Sequence, residues 1–103
     1  MKNAKAKGSQ RELKTMERLG DKYLCTKSGG SLGVFDIIAL HANGVRCIQV
    51  KSNCWPSPAE RKAMAATINR LPVNATVECW RWDNYAREPK IRFIEEFKEG
   101  GAQ

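Results

Sequence analysis

Residues Phe35 to Lys51 read FDIIALHANGVRCIQVK. Two apolar runs flank Asn43-Gly44, the strongest short-range signal for a β-hairpin. Strands over Val34–Ala42 and Val45–Ser52 follow from it. Both carry polar residues that a buried strand does not need: Asp36 in the first, Gln49 and Lys51 in the second. Such groups are costly in a core unless they find partners. A turn centred on Asn43-Gly44 sets residues whose numbers sum to about 87 across from one another, which puts Asp36 opposite Lys51. Side chains alternate along a strand, so Gln49 and Lys51 share one face and Val50 takes the other. An acid, an amine and an amide oxygen are thus expected at one rim of a sheet.

Working outward, Ser28–Gly33 (SGGSLG) is a glycine-rich loop, preceded by a strand over Lys22–Lys27. Ser9 with Glu12 three residues later forms a capping-box pattern, which opens a helix from about Gln10 to Leu19. Leu13, Met16 and Leu19 would face the core, with Gly20 ending the helix. Glu12 falls at the edge of that face. Residues 1–8 (MKNAKAKG) carry Lys2, Lys5 and Lys7 and little to bury, and read as a mobile basic arm. Downstream, Ser57–Glu60 is a second capping box with Pro58 at the first helical position, for a helix reaching about Arg70. Ala75–Trp82 alternates as a strand, with Val77, Cys79 and Arg81 on one face and Glu78, Trp80 and Trp82 on the other. Asp83–Pro89 is a turn, Lys90–Ile94 a last strand, and the remainder a loose tail. The order α-β-β-β-α-β-β predicts an α/β fold with a mixed central sheet flanked by helices. One domain over 9–97 is expected, with 98–103 outside it.

The 103 residues suit a single domain with a core of its own, and 42% hydrophobic content excludes wholesale disorder. Eighteen Lys and Arg against eleven Asp and Glu give a net charge of +7. That excess suits a polyanionic partner, nucleic acid first, or else a solvated surface. Cys25, Cys47, Cys54 and Cys79 form no CxxC pair, and His41 is the sole histidine, so no zinc site is expected. With no secretory leader pattern the chain reads as intracellular and cytoplasmic. No apolar run reaches the ~20 residues of a membrane helix.

The rim suggests chemistry. Hard cations such as magnesium take oxygen ligands from a few carboxylates and keep several waters. Glu12, Asp36, the Gln49 amide oxygen and the Val50 carbonyl are suitable donors. Lys51 can hold or deprotonate a water and stabilise charge developing on phosphorus.

The pieces GSQRELKTMERLG, TKSGGSLGVFDIIA and CIQVKSN, in that order over about half the chain, resemble the PD-(D/E)xK nuclease superfamily, and within it the archaeal-type Holliday-junction resolvases. The resemblance implies a restriction-endonuclease-like fold and a homodimer that cuts four-way DNA junctions with magnesium, or manganese in its place, and no small-molecule cofactor. By position it implies Glu12 and Asp36 as metal ligands, Lys51 as the catalytic lysine, and Ser28 or Ser31 as the serine holding the scissile strand. Gln49 stands where the family usually has glutamate, and Phe35 where it usually has proline. DNA contacts are expected from Lys2, Lys5, Lys7, Arg11, Lys27 and the loop Ser28, Gly29, Gly30 and Ser31. Rival readings are a repair or restriction-like nuclease for ordinary duplexes, flaps or nicks, and a non-catalytic DNA-binding module. Structural alternatives stand beside each residue. Glu12 is also a capping residue, and Asp36 with Lys51 could be a plain cross-strand ion pair contributing roughly 0.2–1 kcal/mol. The serines are turn formers, and Trp55, Trp80 and Trp82 are core or contact residues unless they stack on bases.

Overall fold

The computed structural model describes residues 2–28 and 33–97, with side chains from Gln10 onward. Five strands form one mixed sheet in the order of the chain: β1 (Leu24–Lys27), β2 (Ile37–His41), β3 (Gly44–Ser52), β4 (Ala75–Trp82) and β5 (Lys90–Phe93). All neighbours run antiparallel except β3 and β4, which are parallel. A parallel pair needs a crossover, and α2 (Pro58–Ala66) lies in it. The first helix, α1 (Lys2–Leu19), packs on the opposite face of the sheet.

The alternation of β3 and β4 decides what each helix covers. Cys47, Val77 and Cys79 point towards α2 and join Phe35, Met64, Ile94 and Phe97 in one core layer. Ile48, Trp80 and Trp82 point towards α1 and join Leu19, Ile37 and Ala39 in the other. The two faces expected of Ala75–Trp82 are those observed, and Cys47 fills the core as a small buried residue. The segment read as a loose tail contributes Phe97 to the core, and Ile94, read as the end of the last strand, opens a turn of 3₁₀ helix and joins it there; residues 98–103 lie outside the described residues.

Local chemistry sets α2 as expected. Ser57 accepts the Glu60 N–H, Glu60 accepts the Ser57 N–H, and Pro58 follows the cap. The helix stops at Ala66, short of Arg70, and Ile68–Arg70 form a turn of 3₁₀ helix. At α1 the expectation fails. Its backbone is helical from Lys2, so Ser9 lies within the helix rather than at its start. Among its described side chains Arg11, Thr15 and Leu19 are buried, while Leu13 is 50% exposed. The cause is Trp82, whose buried indole N–H needs an acceptor. Thr15 Oγ1 supplies it at 2.9 Å while donating to the Arg11 carbonyl at 2.8 Å.

The hairpin register also departs from expectation. His41 faces Gly44, Ile38 faces Cys47 and Ile37 faces Ile48, so the turn is centred on Ala42-Asn43, one residue earlier than the sequence signal. Gly44 is needed for space rather than for turn geometry. A Cβ there would meet the Asn74 carbonyl oxygen at 2.2 Å. The chain entering β4 crosses against Gly44, and only glycine admits it.

A buried ion pair crosses the α1 face. Glu78 is 0% exposed and accepts from Arg46 Nε and Nη2, both at 2.7 Å, from the Trp80 indole at 2.9 Å, and from the Thr76 hydroxyl. The Arg46 guanidinium also lies over the Tyr23 and Trp80 rings. Its pKa is raised further, first by the hydrogen bond to Glu78 and against the effect of burial. Fully paired, this network ties β3 to β4.

Candidate active site

The shift in register moves the partners. Asp36 comes opposite Gln49 instead of Lys51, just before the first residue of β2. Its N–H donates to the Ile48 carbonyl at 2.8 Å, and its Oδ2 accepts the Val50 N–H at 2.8 Å. The side chain therefore completes the ladder where β2 has not yet begun. Among the described residues nothing donates to Asp36 Oδ1. Burial raises the Asp36 pKa above its ordinary value; the Val50 N–H opposes this, Glu12 adds to it, Lys51 opposes it and Glu60 adds to it. All three charged neighbours are thus near enough to act on this carboxyl.

Gln49 is 7% exposed, and its Oε1 is buried with no hydrogen-bond partner. An orphaned buried polar atom costs roughly 1–3 kcal/mol. Gln49 and Lys51 alternate with Ile48 and Val50, so they lie on the α2 face, as Asp36 does. Three of the residues expected at one rim do share one face. Lys51 does not form the expected pair with Asp36. It reaches Glu60 on α2, with Nζ at 3.3 Å from both carboxylate oxygens. Glu60 has its pKa lowered, first by the Ser57 N–H and then, against partial burial, by Lys51. In the sequence Glu60 was legible only as a cap. Nothing local says that α2 would set its N-terminus against the end of β3.

Glu12 stands on α1 with Oε1 3.5 Å from Lys27 Nζ. Lys27, expected at DNA, is half exposed and holds this acid near the rim. Ser28 is buried and donates to the Phe35 carbonyl, tying the end of β1 to the approach to Asp36. Arg11, expected at phosphates, is 9% exposed; its Nη2 donates to Asn84 at 3.0 Å, and its Nε is buried without a partner. It is a packing residue between α1 and the β4–β5 turn. Asn84 and Asn53 clasp each other there, the Asn84 N–H to Asn53 Oδ1 at 2.8 Å and Asn53 Nδ2 to Asn84 Oδ1 at 3.2 Å. Gly29, Gly30 and Ser31 lie outside the described residues, and so do the side chains of Lys2, Lys5 and Lys7.

Among the described residues no three His, Cys, Asp or Glu side chains gather as a metal cluster. Any cation at the rim must draw on a mixed set. Asp36 Oδ1, the orphaned Gln49 oxygen, the Val50 carbonyl and Glu12 are hard oxygen donors that suit magnesium. Cys79 lies beside them on β4, and burial pushes its thiol up to about 12. A groove of about 500 Å³ on the same side of the sheet is lined by Phe35, Ile38, Cys47 and Leu71 and carries no acid, so it is not this site. None of the described helices is long and apolar enough to cross a membrane. Comparisons with family models, with curated proteins and with solved structures find no match to this chain.

Proposed function

We propose that the chain is a metal-dependent endonuclease with a restriction-endonuclease-like core, acting on branched DNA of the four-way junction type as a two-fold dimer. The observation that carries the reading is the rim of β2 and β3. Asp36, Gln49 and Lys51 share one face there, with a buried amide oxygen left unpartnered. Nature keeps such costs mainly where function uses them. Strand order supports it as well: three antiparallel strands, a helical crossover and a parallel fourth strand match the core that the resemblance implies.

In this reading Asp36, Gln49, the Val50 carbonyl and Glu12 hold a magnesium ion, which supplies charge neutralisation at the scissile phosphate when bound. The Val50 N–H orients the Asp36 carboxylate and fixes which oxygen faces outward. Lys51 carries the positive charge that approaches the attacked phosphate, and Glu60 keeps it extended along the strand. As an ammonium held by Glu60, Lys51 has no lone pair for a proton, so its part is to orient the attacking water and stabilise charge on the phosphate, with the water's proton leaving to solvent. Gln49 brings an oxygen without charge, so cation affinity depends more heavily on Asp36 and Glu12. Two-fold pairing suits a substrate with two equivalent strands.

A second reading rests on the Lys51–Glu60 pair. If that ion pair and the Asp36–Val50 bond serve only the sheet, the chain is a DNA-binding module without catalysis. The test is incubation of purified protein with labelled four-way junction, flap and linear duplex, with and without magnesium. Cutting of the junction that needs magnesium and vanishes in Asp36→Asn and Lys51→Ala supports the enzyme. Tight binding with no cutting under any condition supports the module, and cutting of linear duplex as fast as junction moves the substrate to ordinary DNA.

A further inference from the structure

The candidate site continues into a basic surface across β4 and β5. Strand register places Gln49, Cys79 and Arg92 side by side across β3, β4 and β5, and Lys51, Arg81 and Lys90 in the next row. Directly opposed residues project to the same side, so both rows lie on the face that bears Asp36. Strands are about 4.8 Å apart, and the rows therefore carry positive charge roughly 10 Å from Lys51 to the sheet edge. Trp55 and Phe97 floor this surface, edge to face with centroids 5.6 Å apart. Arg92 lies 4.9 Å from the Trp55 ring centre and 5.4 Å from that of Phe97, Arg81 lies 5.5 Å from Trp55, and Arg61 lies 5.4 Å from Phe97.

The charge on this surface is incompletely neutralised. Arg81 and Lys90 share the single carboxylate of Asp83, at 2.7 and 3.2 Å. Arg92 is exposed and has no carboxylate partner among the described residues. A guanidinium laid against aromatic rings is held flat, with its N–H edge free for the fork-like contact that a phosphate accepts. We propose that the Arg81–Lys90–Arg92 surface above Trp55 and Phe97 carries a phosphodiester strand of nucleic acid leading away from Asp36 and Lys51. Arg92 is its principal phosphate contact. The proposal rests on the reading of the site as one that takes DNA, and it assigns the strand's path to β5 rather than to the α1 and loop lysines alone. The two rows are wide enough for one strand's backbone rather than both strands of a duplex, and sites that grip one strand combine such cations with aromatic platforms.

The test reads binding without cutting, by fluorescence anisotropy of a labelled single strand and of the matching duplex in the presence of EDTA. Arg92→Ala should weaken single-strand binding about tenfold and lower the slope of log affinity against log salt by about 0.7. Arg70→Ala removes the same charge from the 3₁₀ turn after α2 and should change affinity by less than about twofold. Arg92→Lys should keep the salt slope and lose about threefold in affinity, because the planar fork is gone. Equal losses in the alanine variants, or wild-type affinity in Arg92→Lys, would overturn the proposal. So would displacement of the labelled strand by polyglutamate as readily as by unlabelled DNA, which would assign the surface to an acidic protein. If Arg92→Ala loses its far-UV circular dichroism, the lysine variant decides. Strand binding through Arg92 with no cutting in magnesium sinks the catalytic reading and leaves this one standing. Magnesium-dependent cutting intact in an Arg92→Ala variant that also binds normally sinks this one alone.

Discussion

Replacing Gln49 by methionine should make the protein more stable and less able to bind a cation. The structure leaves the Gln49 Oε1 buried and without a donor. Turning the amide over only exchanges which polar atom is stranded. Each such group costs roughly 1–3 kcal/mol relative to an apolar group of the same shape. Methionine is close to glutamine in volume and bends to fit, so repacking should cost under ~1 kcal/mol. The expected net gain is about 1–2 kcal/mol. For a domain of this size each kcal/mol moves the melting temperature by about 4–8 °C, so the variant should melt roughly 4–15 °C higher in EDTA. Magnesium should raise the melting temperature of the parent by mass action and leave the variant unmoved. Differential scanning calorimetry in EDTA and in magnesium reads both effects. A variant that melts at or below the parent in EDTA would show that the oxygen is already satisfied in the folded protein. The oxygen would then not be held in reserve for a ligand.

Glu78→Ala strips the carboxylate from a guanidinium that stays partly buried and should cost about 3–5 kcal/mol in urea denaturation; a loss below about 1 kcal/mol would mean that Arg46 swings into solvent at no cost. Gly44→Ala drives a methyl group into the Asn74 carbonyl and should cost at least about 1–3 kcal/mol, whereas an ordinary hairpin glycine without that neighbour would lose a few tenths. The raised Asp36 pKa has a definite sign. The folded state holds this proton more tightly than the unfolded chain does, so the group's contribution becomes less favourable as pH rises from the ordinary Asp value to the raised one. Asp36→Asn keeps an oxygen for the Val50 N–H and escapes that loss, so its stability relative to the parent should increase across this window and stay level above it. Urea midpoints of both proteins at matched pH values check this, and a difference independent of pH would remove burial as the cause. Metal binding through Asp36 should weaken on acidification at a higher pH than for an exposed aspartate, readable as magnesium-induced melting shifts.

What was legible in the sequence was what local chemistry decides. Ser57, Pro58 and Glu60 make the α2 cap among themselves, and alternation in Ala75–Trp82 sorts its faces without help from elsewhere. The hairpin existed as read, but its register did not follow from Asn43-Gly44. Gly44 answers to Asn74, about thirty residues along, and no local pattern reports that. The same limit applies to α1, where Leu13 looked like core and Arg11 looked like a phosphate contact. A hydroxyl was required for the Trp82 indole, a demand visible only once β4 lies under the helix. At the site, the shared face of Asp36, Gln49 and Lys51 could be read from period-two alternation. The Lys51–Glu60 pair could not, because it depends on where α2 sets down on the sheet.

The parallel pairing of β3 with β4 runs from Val45–Ala75 to Ser52–Trp82, every partner about thirty positions distant in the chain. While the polypeptide is still emerging from the ribosome, the segment bearing Gln49 and Lys51 exists before the strand that buries it. Ile48 then lacks Trp80, and Arg46 lacks its counter-ion. Closing so long a loop is slow compared with zipping a hairpin, and the nascent chain must carry this unpaired edge in the meantime. Truncation anywhere before residue 82 should therefore yield an aggregating fragment rather than a smaller working domain.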